Sequence, residues 1–115
     1  MNYSITTSSY FDVAAKKLAK KYSSFKDDLV NFGKYLLENP KQGTELAPGI
    51  RKIRMAIKSK GKGKSGGARG ITYNFITHEM DGEIVLLLIY DKEDASTAKV
   101  NVLKEIIKEE GYPIQ

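Results

Sequence analysis

The residues from Ile84 to Tyr90 form an unbroken apolar and aromatic run, dominated by isoleucine, valine and leucine. The run is far shorter than the roughly 20 residues that a membrane-spanning helix requires. It follows an Asp81-Gly82 pair, which is typical of a hairpin turn. A strand that is apolar throughout must be covered on both of its faces. The pattern therefore predicts a central strand with a layer of structure on each side.

Two amphipathic helices are predicted ahead of this strand. Ser9 with Asp12 indicates a capping pair at the start of the first helix, and Ser24 marks the start of the second, which Pro40 ends. Both segments carry apolar residues at helical spacing: Phe11, Ala14, Ala15, Leu18 and Tyr22 in the first, and Phe25, Leu29, Phe32, Leu36 and Leu37 in the second. We expect a helical hairpin, preceded by a short edge strand over residues 2–6.

The pattern of the later elements completes an α+β fold. Apolar residues alternate with polar ones from 52 to 57, a glycine- and lysine-rich loop covers 58–67, and a second strand covers 68–77. Residues 96–110 are predicted to form a C-terminal helix. The expected fold is one domain over residues 1–115 of order β-α-α-β-β-β-α, with a small antiparallel sheet, an N-terminal helical hairpin and a C-terminal helix.

The positive charge of the chain is concentrated in one segment. The formal net charge is +5, yet no acidic residue lies between Glu45 and Glu79, and the rest of the chain has a net charge of −3. Such a local excess attracts polyanions, nucleic acid above all. The segment contains eight basic residues: Arg51, Lys52, Arg54, Lys58, Lys60, Lys62, Lys64 and Arg69.

The chain has no cysteine, which excludes disulfide frameworks, thiolate zinc sites and cysteine nucleophiles. This composition fits the reducing cytoplasm, where we expect the protein to reside. A single histidine, His78, cannot form a metal site by itself, and no metal or other cofactor is expected.

The stretch from Gly61 to Gly66 matches the pattern G-x-G-x-x-G. In a dinucleotide site this motif lies between a strand and a helix, because the helix N-terminus holds the pyrophosphate. Here a strand is predicted to follow, so the dinucleotide interpretation is rejected. A mobile hairpin whose amides and lysines approach phosphates is the remaining functional interpretation, and a solvated loop is the alternative.

Strand parity groups the basic residues further. Lys52 and Arg54 are two residues apart and should share one face of their strand, as should Arg69 and Tyr73 on the next. Cations on such a surface would bind a phosphate backbone, and Tyr73 could stack on a base. Tyr73 could equally be a core aromatic, because Ile71 and Phe75 have the same parity.

Three stretches resemble a known family: residues 49–54 (GIRKIR), 60–69 (KGKGKSGGAR) and 85–92 (VLLLIYDK). Together they are similar to the HigB-like branch of the RelE/ParE superfamily, the toxins of type II toxin–antitoxin pairs. The resemblance implies a RelE-like fold and a ribosome-dependent mRNA endonuclease that inhibits translation. It also implies a cognate antitoxin, expected to be a HigA-like helix-turn-helix protein, with the ribosome and mRNA as further partners. No membrane partner is expected, because no apolar run is long enough to span one.

The resemblance also implies roles for particular residues. Five residues are expected in the catalytic site: Lys52 and Arg54 match the family's basic pair, Arg69 the arginine that opens the next strand, Lys92 the basic residue after the central strand, and Tyr73 falls near a variable polar or aromatic position. Arg54 and Arg69 would hold the phosphate, and Lys52 or Lys92 would act as acid or base. The expected reaction is metal-independent attack by the RNA's 2′-hydroxyl on the adjacent phosphate. The lysines of the loop would bind the RNA backbone: Lys58, Lys60, Lys62 and Lys64. Well-known members use a C-terminal tyrosine as proton acceptor, but no tyrosine lies between Asp91 and Gly111.

Two other functions stay open at this point. A ParE-like toxin would inhibit DNA gyrase by protein contact, and the superfamily fold alone does not separate the two activities. A non-enzymatic RNA-binding module is the third possibility. The basic segment favours RNA over gyrase, because a gyrase inhibitor does not need it.

Overall fold

The computed structural model describes residues 2–78, 80–94 and 99–115. These residues form an α+β fold in which one five-stranded sheet separates two layers of helices. The strands are β1 (Asn2–Thr7), β2 (Thr44–Ala47), β3 (Ile50–Met55), β4 (Ala68–His78) and β5 (Asp81–Asp91). The helices are α1 (Ser9–Lys21), α2 (Phe25–Glu38), the single turn α3 (Gly63–Gly66) and α4 (Val100–Glu109), with short 3-10 helices at Lys58–Lys60 and Lys92–Asp94.

The sheet differs from the expected one in two respects. Its strand order is β1-β5-β4-β3-β2, and β1 pairs with β5 in parallel, so the sheet is mixed rather than antiparallel. The strand β2, which pairs with β3, was not predicted, because its four residues TELA have no clear alternation. The expected order of elements therefore lacked one strand, while the helical hairpin and the C-terminal helix are confirmed.

The strand β5 is covered on both faces, as its apolar sequence predicts. Ile84, Leu86 and Ile89 pack with α1 and α2, whereas Val85 and Leu87 pack with α4. The central position of the sheet belongs to β4, however, with β5 beside it. The expectation of a strand buried between two layers was correct, and that of a central strand was wrong.

Several boundaries also differ from the expected ones. The N-cap of α1 is Ser8 rather than Ser9, since the Ser8 hydroxyl accepts a hydrogen bond from the N–H of Phe11 at 3.0 Å. Asp81 and Gly82 lie in β5 and not in the hairpin turn, because Asp81 pairs with His78. The described part of α4 begins at Val100, and residues 96–98 of the predicted helix lie outside the described residues.

The two faces of the sheet are covered to different extents. The helical hairpin covers one face through Phe11, Leu18, Phe25, Phe32 and Leu36. On the other face α4 packs through Leu103, Ile106 and Ile107 onto Ile50, Ile71, Tyr73, Val85 and Leu87. At one end of this second face the side chains reach solvent: Arg54 is exposed, and Lys52 and Arg69 are half-buried. None of the helices in the described part of the chain has the length and apolar character needed to cross a membrane.

Candidate nucleic-acid interface

The register between β3 and β4 places Arg54 directly opposite Arg69. Ile53 and Met55 turn toward the helical hairpin, so Arg54 and Lys52 lie on the other face, as strand alternation requires. Arg69 shares that face with Ile71, which packs on the α4 side. We call this surface, bearing Lys52, Arg54 and Arg69, the open face.

The next strand adds Tyr90 to the open face. Tyr90 is the cross-strand partner of Arg69 and is half-buried against the core on the α4 side. Arg54, Arg69 and Tyr90 therefore form one row across three strands. A tyrosine in a row with two guanidinium groups can donate a proton as the phenol, or accept one as the phenolate, next to a bound phosphate.

A bulge in β5 explains why the sequence did not indicate Tyr90. The register shifts so that Ile71 pairs with Leu88 and Thr72 with Leu86, which leaves Leu87 as an extra residue. Plain alternation would have placed Tyr90 on the same face as Leu86, under the helical hairpin. The extra residue reverses the parity and turns Tyr90 to the open face.

A cavity of about 390 Å³ lies beside β3, lined by residues of the open face and by Ile53, and we call it the basic cavity. It brings together Lys52, Arg54 and Arg69, as the sequence predicted, and adds Lys64 from the glycine-rich loop. Gln42 and Gly43, which precede β2, and Thr44, its first residue, close the rim of the cavity. Four cations around one concave surface suit an anionic backbone.

Arg69 also fixes the loop that borders the basic cavity. Its guanidinium donates hydrogen bonds to the carbonyl oxygens of Ser65 at 2.9 Å, Ala68 at 3.1 Å and Lys64 at 3.3 Å. The bonds to Lys64 and Ser65 satisfy carbonyl groups of α3 that have no partner within so short a helix. Arg69 therefore holds Lys64 in place as well as presenting its own charge.

The loop over residues 58–67 contains a 3-10 turn and the single turn α3, and its backbone is bonded to the helical hairpin. The Asp28 carboxylate accepts a hydrogen bond from the N–H of Lys58 at 3.1 Å, and the Ser24 hydroxyl accepts one from the N–H of Ser59 at 2.9 Å. The glycines allow the tight path: an added Cβ at Gly67 would lie 2.1 Å from the carbonyl oxygen of Met55. The glycines of this loop are therefore explained by its backbone geometry rather than by phosphate binding.

Lys60 lies away from the open face, in a buried ion pair. Its ammonium is 2.7 Å from the carboxylate of Asp91, and the two side chains are 5% and 0% exposed. Tyr22 donates a further hydrogen bond to the same carboxylate. Lys60 thus ties the loop to the end of β5, and we do not retain it among the RNA-binding residues.

The buried network shifts the pKa of both charged groups in the direction that keeps them charged. Burial alone would raise the pKa of Asp91, but hydrogen bonds from Lys60, Tyr22 and the N–H of Glu93 hold it far below its usual range. Burial alone would lower the pKa of Lys60, but the hydrogen bond and charge of Asp91 raise it.

Tyr73 is a core residue, so the stacking role considered for it is wrong. The side chain is 2% exposed, and its hydroxyl donates a hydrogen bond to the carbonyl oxygen of Pro113. Burial raises the pKa of this hydroxyl. Its ring lies 5.7 Å from that of Phe75, within the core under α4.

The remaining predicted cations are dispersed. Lys62 is 60% exposed, with its ammonium 3.1 Å from the Glu93 carboxylate. Lys92 is exposed on the 3-10 helix after β5, and its N–H donates to the carbonyl of Gly67. Lys92 is not among the residues that line the basic cavity. Of the four basic residues that the resemblance assigns to the site, the cavity therefore brings together Lys52, Arg54 and Arg69.

A second cavity, of about 300 Å³, adjoins the basic cavity between α2 and β3, and we call it the α2 cleft. It shares Arg54 and Lys64 with the basic cavity and adds Lys58. Its other lining residues are Asp28, Asn31, Phe32, Tyr35, Met55 and Ala56. The ammonium of Lys64 lies 4.6 Å from the centre of the Tyr35 ring, a cation–π geometry that contributes about 0.5–1 kcal/mol at an exposed site.

No family model matches this chain. Within residues 2–78, 80–94 and 99–115, no group of three or more histidine, aspartate or glutamate side chains is arranged to hold a metal ion. The site is therefore interpreted from its own geometry, as a basic concave surface with one tyrosine in the row of arginines.

Proposed function

We propose that the protein is the toxin of a type II toxin–antitoxin pair, an endoribonuclease that cleaves mRNA on the ribosome. The main support is the cross-strand pair Arg54–Arg69 on the open face, next to Tyr90. Arginine is always charged and can bind two phosphate oxygens at once. Two guanidinium groups side by side are suited to a phosphate on which charge develops during reaction.

The proposed reaction uses the RNA's own 2′-hydroxyl as the nucleophile. Its oxygen forms a bond to the adjacent phosphorus while the bond from phosphorus to the 5′-oxygen breaks. The products are a 2′,3′-cyclic phosphate and a 5′-hydroxyl. A base must take the 2′-hydroxyl proton, and an acid must give one to the leaving oxygen.

The row on the open face supplies candidates for both proton transfers. Tyr90 is our candidate proton acceptor, because it borders Arg69 and the resemblance left that role unassigned. Lys52 lines the basic cavity with both arginines and is the candidate acid. Lys92 stays an alternative acid, since it follows Tyr90 closely in the chain.

Exposed lysines would hold the ribosomal or messenger backbone: Lys58 and Lys64, which line the two cavities, and Lys62 on the same loop. The same positive surface would attract an acidic segment of a HigA-like helix-turn-helix antitoxin, through the electrostatics that attract RNA. A toxin that acts on translating ribosomes would work in the cytoplasm.

Induced expression in a bacterial host tests the proposal against its rivals. We expect growth arrest, with new 5′ ends in translated messages that vanish when translation initiation is blocked. Double-strand DNA breaks with intact messages would instead indicate a ParE-like gyrase inhibitor. Crosslinking to RNA without cleavage or growth arrest would indicate a binding module.

A further inference from the structure

We propose that the α2 cleft binds one unpaired nucleobase of the RNA strand whose phosphates lie in the basic cavity. The inference rests on the proposed function and adds a base-binding subsite to it. It assigns a role to Tyr35, on α2, which the sequence patterns did not single out.

The lining of the α2 cleft has the chemistry of a base-binding site. Phe32, Met55 and Ala56 supply apolar surface, and the Tyr35 ring supplies an aromatic wall. Single-stranded RNA is read largely by stacking its splayed bases on such rings. The volume of about 300 Å³ accommodates a small planar group and falls at the lower end of small-molecule sites.

The α2 cleft is continuous with the surface proposed to hold the backbone. Arg54 and Lys64 line both cavities, so a strand with its phosphates between them has a base within reach of Tyr35. Asp28 is the one acidic lining residue, and its carboxylate is bonded to the Ser24 hydroxyl at 2.6 Å and the Lys58 N–H at 3.1 Å. The charge at the mouth of the cleft is therefore positive.

The contact between Lys64 and Tyr35 indicates how the ring becomes available. Tyr35 is 42% exposed, and the Lys64 ammonium covers one face of its ring. A phosphate in the basic cavity competes for that ammonium, because an ion pair with phosphate is stronger than an exposed cation–π contact. Once Lys64 turns to the phosphate, the ring face is free for the base.

Three variants on α2 separate stacking from general effects on the helix. Tyr35→Ala removes the ring, Tyr35→Phe keeps it, and Leu37→Ala removes apolar surface that is 46% exposed outside the cleft. The readout is affinity for ribosomes carrying a short message with methylated 2′-hydroxyls, which cannot be cleaved. We expect Tyr35→Ala to bind about tenfold more weakly, as the loss of one base stack predicts, and the other two to match the parent.

Replacing each nucleotide of that message in turn by an abasic residue gives a second, independent measurement. One position should weaken binding of the parent about tenfold and leave Tyr35→Ala unaffected, because the same stack is already lost. The measurements on the parent protein are informative by themselves, without the Tyr35→Ala variant. A parent that is indifferent to every abasic position overturns the subsite.

The outcomes distinguish the subsite from the proposed function. If Tyr35→Ala binds as tightly as the parent while Arg54→Gln binds weakly, the subsite is wrong and the proposed function stands. If the parent binds neither free RNA nor programmed ribosomes, the proposed function fails and the subsite fails with it.

Discussion

Arg54 and Arg69 face each other across β3 and β4, in a register that places two like charges on neighbouring positions of the same sheet face. Like charges directly opposite each other destabilise an antiparallel pair. A bound phosphate between the two guanidinium groups would turn this repulsion into attraction. The position of Arg54 opposite Arg69 is therefore better explained by ligand binding than by folding.

The two arginines should respond differently to the same substitution. Arg54→Gln should leave the free energy of unfolding within about 0.5 kcal/mol of the parent, because Arg54 is exposed and its loss relieves repulsion. Arg69→Gln should lower it by about 1–2 kcal/mol, because the hydrogen bonds to the carbonyls of Ser65 and its neighbours are lost. Urea unfolding measures both, and equal losses would contradict the loop-holding role of Arg69.

Tyr90→Phe should separate chemistry from binding. If the phenolate form of Tyr90 accepts the proton of the attacking 2′-hydroxyl, removal of this oxygen should slow cleavage about 10²–10⁴-fold. Affinity for the methylated message should stay close to that of the parent, since the ring and the arginines beside it are retained. Single-turnover cleavage on programmed ribosomes gives the rate, and an unchanged rate would remove Tyr90 from the mechanism.

Two lysines of the loop over residues 58–67 allow a matched comparison of stability. Lys60→Met leaves the buried Asp91 carboxylate with only the exposed ammonium of Lys21, at 3.6 Å, and should cost about 3 kcal/mol. Lys62→Met breaks an exposed contact with Glu93 and should cost less than about 1 kcal/mol. Equal unfolding midpoints for the two variants in urea would show that the buried pair does not anchor the loop.

The same carboxylate should make stability depend on acid pH. The pKa of Asp91 in the folded protein lies well below its ordinary value of 3.8, so only the unfolded chain takes up this proton when the pH first falls below that value. The contribution of Asp91 to the free energy of unfolding is complete above about pH 5 and is lost progressively as the pH drops further. Asp91→Asn should make the free energy of unfolding depend less steeply on pH. Urea unfolding between about pH 5 and pH 3 measures this dependence. Parallel slopes for parent and variant would contradict the assignment.

The sequence predicted the layers of the fold and part of the site because both depend on local periodicity. Alternation placed Lys52 and Arg54 on one face, and that face carries them in the structure. The position of Tyr90 depends on a one-residue bulge in β5, which alternation cannot reveal. The strand β2 has four residues, which is too short a segment to show the alternation of apolar and polar residues typical of a strand.

The glycine- and lysine-rich loop shows a second limit of the sequence. Its lysines look equivalent in the sequence, yet Lys60 is buried against Asp91, Lys62 contacts Glu93 and Lys64 lies over Tyr35. Each partner is about 30 residues or more away along the chain, so composition alone could not assign them. The sequence did not indicate a role for Tyr35 either. Its position in the helix predicted only partial exposure.

The most direct test of the central claim is cleavage of a defined message by the purified protein on purified translating ribosomes. We predict a fragment ending in a 2′,3′-cyclic phosphate, no cleavage at a nucleotide whose 2′-hydroxyl is methylated, and a rate at least about 100-fold lower for Arg54→Gln. An intact message with the parent protein, or equal rates for the parent and Arg54→Gln, would contradict the account.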